Sequence, residues 1–140
     1  MELRRLLCET AKKLIGIKYE FGSEWTNHLV VPKTLDCSEM IEGIFDIVNL
    51  KMPDGSQNQY NQTYPIEENY QIGDLAFFGR GKDQYKIYHV GMVYFNSQII
   101  EARAFDKTVS FKTGEVICRP LEAWKNYKNF CGFRSHPKLI

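Results

Sequence analysis

The hydrophobic period of this chain changes near its midpoint. Before Met52 the apolar residues recur at helical spacing. Leu3, Leu6, Leu7, Ala11 and Leu14 form one stripe ahead of Gly16, and Met40, Ile41, Ile44, Phe45 and Val48 form another ahead of Met52-Pro53-Asp54-Gly55. The spacing predicts helices over residues 2–15 and from about Cys37 to just before Met52, with Cys8 off the first stripe. After Gln71 the runs shorten and fill with β-branched and aromatic residues, at 75–78, 88–95, 98–102, 108–112 and 116–118, which read as strands. A short helix after Pro120, using Leu121 and Trp124, and a last strand over 130–134 complete the pattern. Helices first and strands afterwards predict an α+β fold, with N-terminal helices packed on a central antiparallel sheet. Two long connections, 23–35 and 56–64, are the loops to watch for function.

The 140 residues suit one domain spanning 1–140, without repeats or a linker. A net charge of +1 gives no field for attracting nucleic acid or an anionic membrane, so neither is an expected partner. Charge in the first eight residues interrupts any export signal, and no stretch is long enough to span a bilayer. Nothing in the sequence therefore points to export, and localisation is left open. Cys8, Cys37, Cys118 and Cys131 include no Cys-x-x-Cys pair and no zinc spacing, so no metal or other cofactor is expected. Reduced thiols are the default in the absence of an export signal, with a Cys118–Cys131 pairing left open.

Asp36-Cys37-Ser38-Glu39 has the form of a capping box, in which Asp36 accepts first-turn amides and Glu39 reaches back. Cys37 then occupies the first helical position, where free amides and the helix dipole favour a thiolate and can stabilise an oxyanion. It precedes Met40 and Ile41 by helical steps and so faces inward. The neighbouring Asp36 carboxylate opposes a second negative charge, so a cationic partner is needed. By itself such a cysteine is more often a small buried hydrophobe than a nucleophile.

His89 opens the apolar run Val90-Gly91-Met92-Val93-Tyr94, and Glu101 closes the next strand. Both are equally distant from Phe95, so a turn centred there would set them directly opposite one another. A carboxylate facing the imidazole would fix its tautomer and stabilise the imidazolium that Cys37 requires. An exposed cross-strand pair is the plain alternative. His28 in a loop and His136 in the tail are weaker bases for the role, and Trp25 and Trp124 read as packing.

Five segments together resemble the NlpC/P60 family of cell-wall cysteine peptidases: Tyr19-Glu20-Phe21-Gly22, Asp36-Cys37-Ser38, Pro53 to Gln59 in a Pro-x-x-Ser-x-x-Gln pattern, Gly73-Asp74-Leu75, and His89-Val90-Gly91. The resemblance implies a papain-like fold and cleavage of bacterial stem peptides or muropeptides, typically at the bond between γ-D-glutamate and a diamino acid. It also implies Cys37 as nucleophile, His89 as general base then acid, Glu101 at the third catalytic position and the Tyr19 hydroxyl at the oxyanion site. Asp36, Ser38 and Ser56 fall where family members contact substrate, the aspartate near a free amine.

Two departures stand out. Glutamate replaces the usual histidine or neutral residue at the third position, which should extend activity upward in pH, and Ser23 replaces a frequent glycine ahead of a long loop. Two alternatives remain open: an inactive relative that binds peptide, for instance among phage virion proteins, and an acyltransferase or amidase of the same fold that passes a Cys37 thioester to an amine. Arg103 reads either as a contact for a substrate carboxylate or as a solvated side chain.

Overall fold

A computed structural model describes residues 2–81, 85–104 and 114–140. The first apolar stripe forms α1 (Glu2–Lys12), but rotated from the expected setting. Arg4, Leu7, Cys8 and Ala11 face inward, while Leu3 and Leu6 are 36% and 47% exposed. The cause is Arg4, whose guanidinium pairs at 2.8 Å with buried Asp74 and donates to the carbonyls of Ile72 and Leu139. A buried ion pair with its hydrogen bonds met turns the helix and carries Cys8 into the core.

Two short strands, β1 (Lys18–Tyr19) and β2 (Thr34–Leu35), pair in parallel, and β2 leads into α2 (Cys37–Ile47). The stretch read as a loop from residue 56 contains α3 (Ser56–Asn61) and the start of β3 (Tyr64–Ile66). The expected strands follow as β4 (Leu75–Arg80), β5 (Lys86–Tyr94), β6 (Gln98–Ala104) and β7 (Gly114–Pro120), then α4 (Leu121–Lys125) and β8 (Phe130–Ser135). The strand expected over 108–112 lies outside the described residues.

The described strands form one sheet in the order β2-β1-β7-β6-β5-β4-β8-β3, antiparallel except at β1–β2. Strands β6, β5 and β4 therefore lie between β7, which carries Cys118, and β8, which carries Cys131. The pairing left open for these two thiols does not form, and all four cysteines are free.

One face of the sheet, through Leu75, Phe77, Val90, Met92 and Ile100, joins the main core with Leu7, Met40, Ile41, Ile44 and Phe45 of the helices. A smaller core lies on the other face, where Ala76, Phe78, Val93 and Ile99 meet Leu121, Trp124 and Phe133. Each such buried side chain contributes about 1.5–3 kcal/mol against exposure. Among the described residues no helix is long and apolar enough to cross a membrane.

Candidate active site

The β1–β2 ladder pairs Tyr19 with Leu35, two residues before Cys37. Asp36 is extended and caps α2, its Oδ1 accepting the Glu39 amide at 2.9 Å and the Ser38 hydroxyl at 3.4 Å. The reciprocal half of the expected capping box is not made. Glu39 turns away, and its Oε1 accepts the Trp25 amide at 2.9 Å. Trp25 lies directly on Gly43, where a Cβ would come within 2.1 Å of its ring, so the loop around it is pinned to the flank of α2.

Cys37 is the first residue of α2, half-buried against the main core. With Tyr19, Phe21, His89, Arg103 and Arg119 it lines a cavity of about 510 Å³. His89 reaches this cavity from β5, where the β4–β5 register slips just beyond it. Its Nε2 lies 2.8 Å from Glu101 Oε1, which leaves Nδ1 for Cys37. Burial works against the imidazolium. Hydrogen bonds to Cys37 and Glu101, with their charges, outweigh it and push the His89 pKa up to about 9.

The β5–β6 hairpin turns about Asn96 rather than Phe95, with Met92 opposite Ile100 and Tyr94 opposite Gln98. Extended one step, this register sets Gly91, not His89, opposite Glu101. A shift of two positions preserves the face, so His89 meets Glu101 on the diagonal, within reach of a glutamate side chain.

Glu101 is fully buried and receives four donors. His89 Nε2 and Arg119 Nη2 reach Oε1 at 2.8 and 3.1 Å, and Arg119 Nε and Trp124 Nε1 reach Oε2 at 2.7 and 2.8 Å. Burial alone would raise its pKa, but His89 and Arg119 hold it below the ordinary glutamate value. Tyr19 is 8% exposed, and burial, with the nearby Cys37 and Asp36 charges, pushes its hydroxyl up to about 12. That hydroxyl stays protonated and available as a donor.

Asp36 lines a second recess, of about 460 Å³, together with Glu24, Glu39, Glu42, Asp54 and His28. The two hollows are lined by consecutive residues, Asp36 and Cys37, and their charge is opposite: carboxylates in one, Arg80, Arg103 and Arg119 in the other. Burial, countered in part by the amides of Glu39 and Gly22 and the Ser38 hydroxyl, raises the Asp36 pKa. Among the described residues, Glu39, Glu42 and Asp54 form a group whose ligand atoms lie within 4.8 Å of one another, the geometry a cation would need. Ser38 is turned onto Asp36, and neither Ser38 nor Ser56 lines either hollow.

The other histidines are engaged elsewhere, His28 Nδ1 with Asp46 at 2.7 Å and His136 Nε2 with the Lys51 carbonyl at 2.8 Å.

The NlpC/P60 family profile matches residues 16–133. The chain belongs to the NlpC/P60 family. Among curated proteins it is similar to probable endopeptidase p60 of Listeria grayi, 36% identical over 94 residues, which make up 66% of this chain and 17% of that protein. The chain thus spans about a sixth of that relative. Among solved structures, an NlpC/P60 family protein of Bacillus cereus superposes with a TM-score of 0.74 at 22% identity, over 95% of this chain and 40% of that one. The peptidoglycan hydrolase RipB of Mycobacterium tuberculosis gives 0.66 at 23% identity, over 96% and 64%. These superpositions bear out the papain-like α+β fold expected of an NlpC/P60 domain.

Two polar residues of this NlpC/P60 site do not stand out in the sequence: Arg119, which donates to Glu101, and Trp124, whose pattern predicts packing but whose indole N–H also donates to Glu101. The signal for both was present: a carboxylate placed between an imidazole and an apolar strand needs further donors.

Proposed function

We propose that this chain is a cysteine peptidase that hydrolyses amide bonds in bacterial cell-wall stem peptides, at the bond between γ-D-glutamate and a diamino acid. The observation that carries this reading is His89, hydrogen-bonded to Glu101 and facing, with Cys37, the same cavity. Cys37 sulfur attacks the scissile carbonyl carbon and forms a C–S bond. The oxyanion that results is met by the first amides of α2 and by the Tyr19 hydroxyl. The His89 imidazolium gives its proton to the leaving nitrogen, the C–N bond breaks, and a thioester remains. His89, now neutral, takes a proton from water, whose oxygen replaces sulfur and releases the acid.

The charge of the two hollows supports a substrate with an ammonium on one side of the bond and a carboxylate on the other, as stem peptides have. Asp36 receives the amine, with Ser38 holding its carboxylate from behind. The names of the relatives, an endopeptidase and a peptidoglycan hydrolase, agree with this substrate class.

The test is incubation of purified protein with muropeptides of the diaminopimelate and lysine types, with products identified by mass spectrometry and Cys37→Ala as control. New termini carrying water are expected with the wild type only. Products joined to an amine would instead mark a transferase, and cleavage that persists without Cys37 would end the proposal.

A further inference from the structure

Glutamate at the third catalytic position raises a physical difficulty. A carboxylate with no exposure to water is costly unless its charge and every lone pair are met, and an imidazole can meet only one of them. Arg119 supplies what is missing. It stands on β7 opposite Ile99, two residues from Glu101 and on the same face of the sheet. From there it grips both carboxylate oxygens, through Nε at 2.7 Å and Nη2 at 3.1 Å. Such a fork fixes the plane of the carboxylate, which a single donor cannot do because the terminal torsion of glutamate is soft.

Arg119 is itself held. Its Nη1 donates to the Tyr127 hydroxyl at 3.0 Å, and its guanidinium lies 5.3 Å from the Tyr127 ring and 5.6 Å from the Trp124 ring. Trp124 closes the arrangement. Its indole donates to Oε2 at 2.8 Å while its ring stacks on His89 at 5.5 Å.

We infer that Arg119 is a positioning residue, which fixes Glu101 as an ionised carboxylate in the one plane that directs Oε1 at His89, and that it acts on catalysis only through Glu101. This rests on the cysteine-hydrolase reading of the site. Among the described residues, the titratable and charged groups around the His89–Glu101 pair are Cys37 from α2, Arg119 and Cys118 from β7, Tyr127 beyond α4 and Tyr88 on β5, with Tyr19, Arg80 and Arg103 on the wall of the same cavity. Arg119 is the cation that holds the carboxylate of Glu101. Without it the buried carboxylate takes up a proton more readily, loses its plane, and the imidazolium loses its partner.

The experiment is a double-mutant cycle of Arg119→Met and Glu101→Gln, read in two ways. The first reading is the pH profile and the kcat and KM for a muropeptide. The second needs no peptide substrate: the rate at which iodoacetamide alkylates Cys37 at pH 7, followed by peptide mass spectrometry. Arg119→Met is expected to lower kcat about 10- to 100-fold, with KM changed less than about threefold, and to slow alkylation in parallel. In the Glu101→Gln background the same substitution is expected to change either rate less than about threefold, because the group it acts through is gone. Arg119→Lys, which keeps the charge without the fork, is expected to fall between wild type and Arg119→Met. It keeps the test decisive if Arg119→Met does not fold.

Equal fold-losses in both backgrounds would make Arg119 a structural tether and overturn the inference. So would an Arg119→Lys or folded Arg119→Met protein that keeps wild-type kcat and alkylation rate. A wild type that cleaves no muropeptide would sink the hydrolase reading, while the alkylation arm still decides the role of Arg119.

Discussion

Gly91 has no side chain with which to touch substrate, yet a single methyl there should disable the site. It faces Glu101 across the hairpin, and Trp124 fills the space a side chain would occupy. A Cβ on Gly91 would lie 2.7 Å from Ile99 Cγ2 and 2.9 and 3.0 Å from two ring carbons of Trp124. Carbon atoms rest about 3.5–4.0 Å apart, so the indole must withdraw by roughly 0.5–1 Å. Ile99 is fully buried and cannot yield in its place. Overpacking of this kind costs about 1–3 kcal/mol, which corresponds to a Tm loss of roughly 3–10 °C in a chain of this size. The same withdrawal stretches the 2.8 Å bond from Trp124 Nε1 to Glu101 and lifts the ring from His89. Displacement on that scale near reacting groups is expected to lower kcat about 10- to 100-fold. Thermal melting of Gly91→Ala by circular dichroism, with kcat on a muropeptide, tests both halves. A variant that melts within about 1 °C of wild type and keeps its kcat would refute the reasoning.

Iodoacetamide at pH 7 is expected to label Cys37 ahead of the other thiols, since burial raises the pKa of Cys118, Cys131 and Cys8, the last to about 12; peptide mapping over time reads the order. Glu101→Gln removes one of the two anions that support the His89 charge, so the alkaline limb of kcat/KM should fall by about one pH unit. Superimposable profiles for wild type and variant would rule this out. The same linkage acts on folding: a histidine raised from 6.5 to about 9 stabilises fully below 6.5 and loses that contribution as pH climbs through 9. Glu39 acts in the same direction with pH. Burial, reinforced by Glu42 and Asp54 and countered by the Trp25 amide, lifts it from 4.5 to about 8, so the native state binds the extra proton and stability declines between those values. Glu39→Gln should flatten Tm against pH across that window, and an unchanged slope would show that Glu39 is not its source.

The parts of this fold that were legible in the sequence are those where a long apolar pattern has one physical reading. The stripe from Met40 to Phe45 gave α2, and the β-branched runs after Gln71 gave β4 to β8. Cys37 at a helix start could be read from Asp36, because capping is a local matter. What stayed hidden depended on partners far along the chain. The rotation of α1 follows from Arg4 finding Asp74, and an arginine near a terminus reads as solvated until that pairing is known. Helix α3 has no apolar stripe; its buried residue is Gln59, held by the carbonyls of Ser38 and Pro53. The hairpin turns one residue later than the spacing predicts because Asn96 and Ser97 both adopt positive φ, a turn that no glycine announces. The resulting shift in register is even, so His89 still meets Glu101.

Cys37 is anchored to the core shared by α1 and α2, whereas His89 stacks in the small core on the far side of the sheet. The two halves of the reaction centre therefore belong to separately packed layers, and neither layer holds both. Were the sheet to form while α2 is still undocked, His89 would stand without Cys37, so the pair exists only when both layers are in place. Under the proposed hydrolase reading, recovery of activity during refolding would therefore report the docking of one helix rather than the growth of secondary structure.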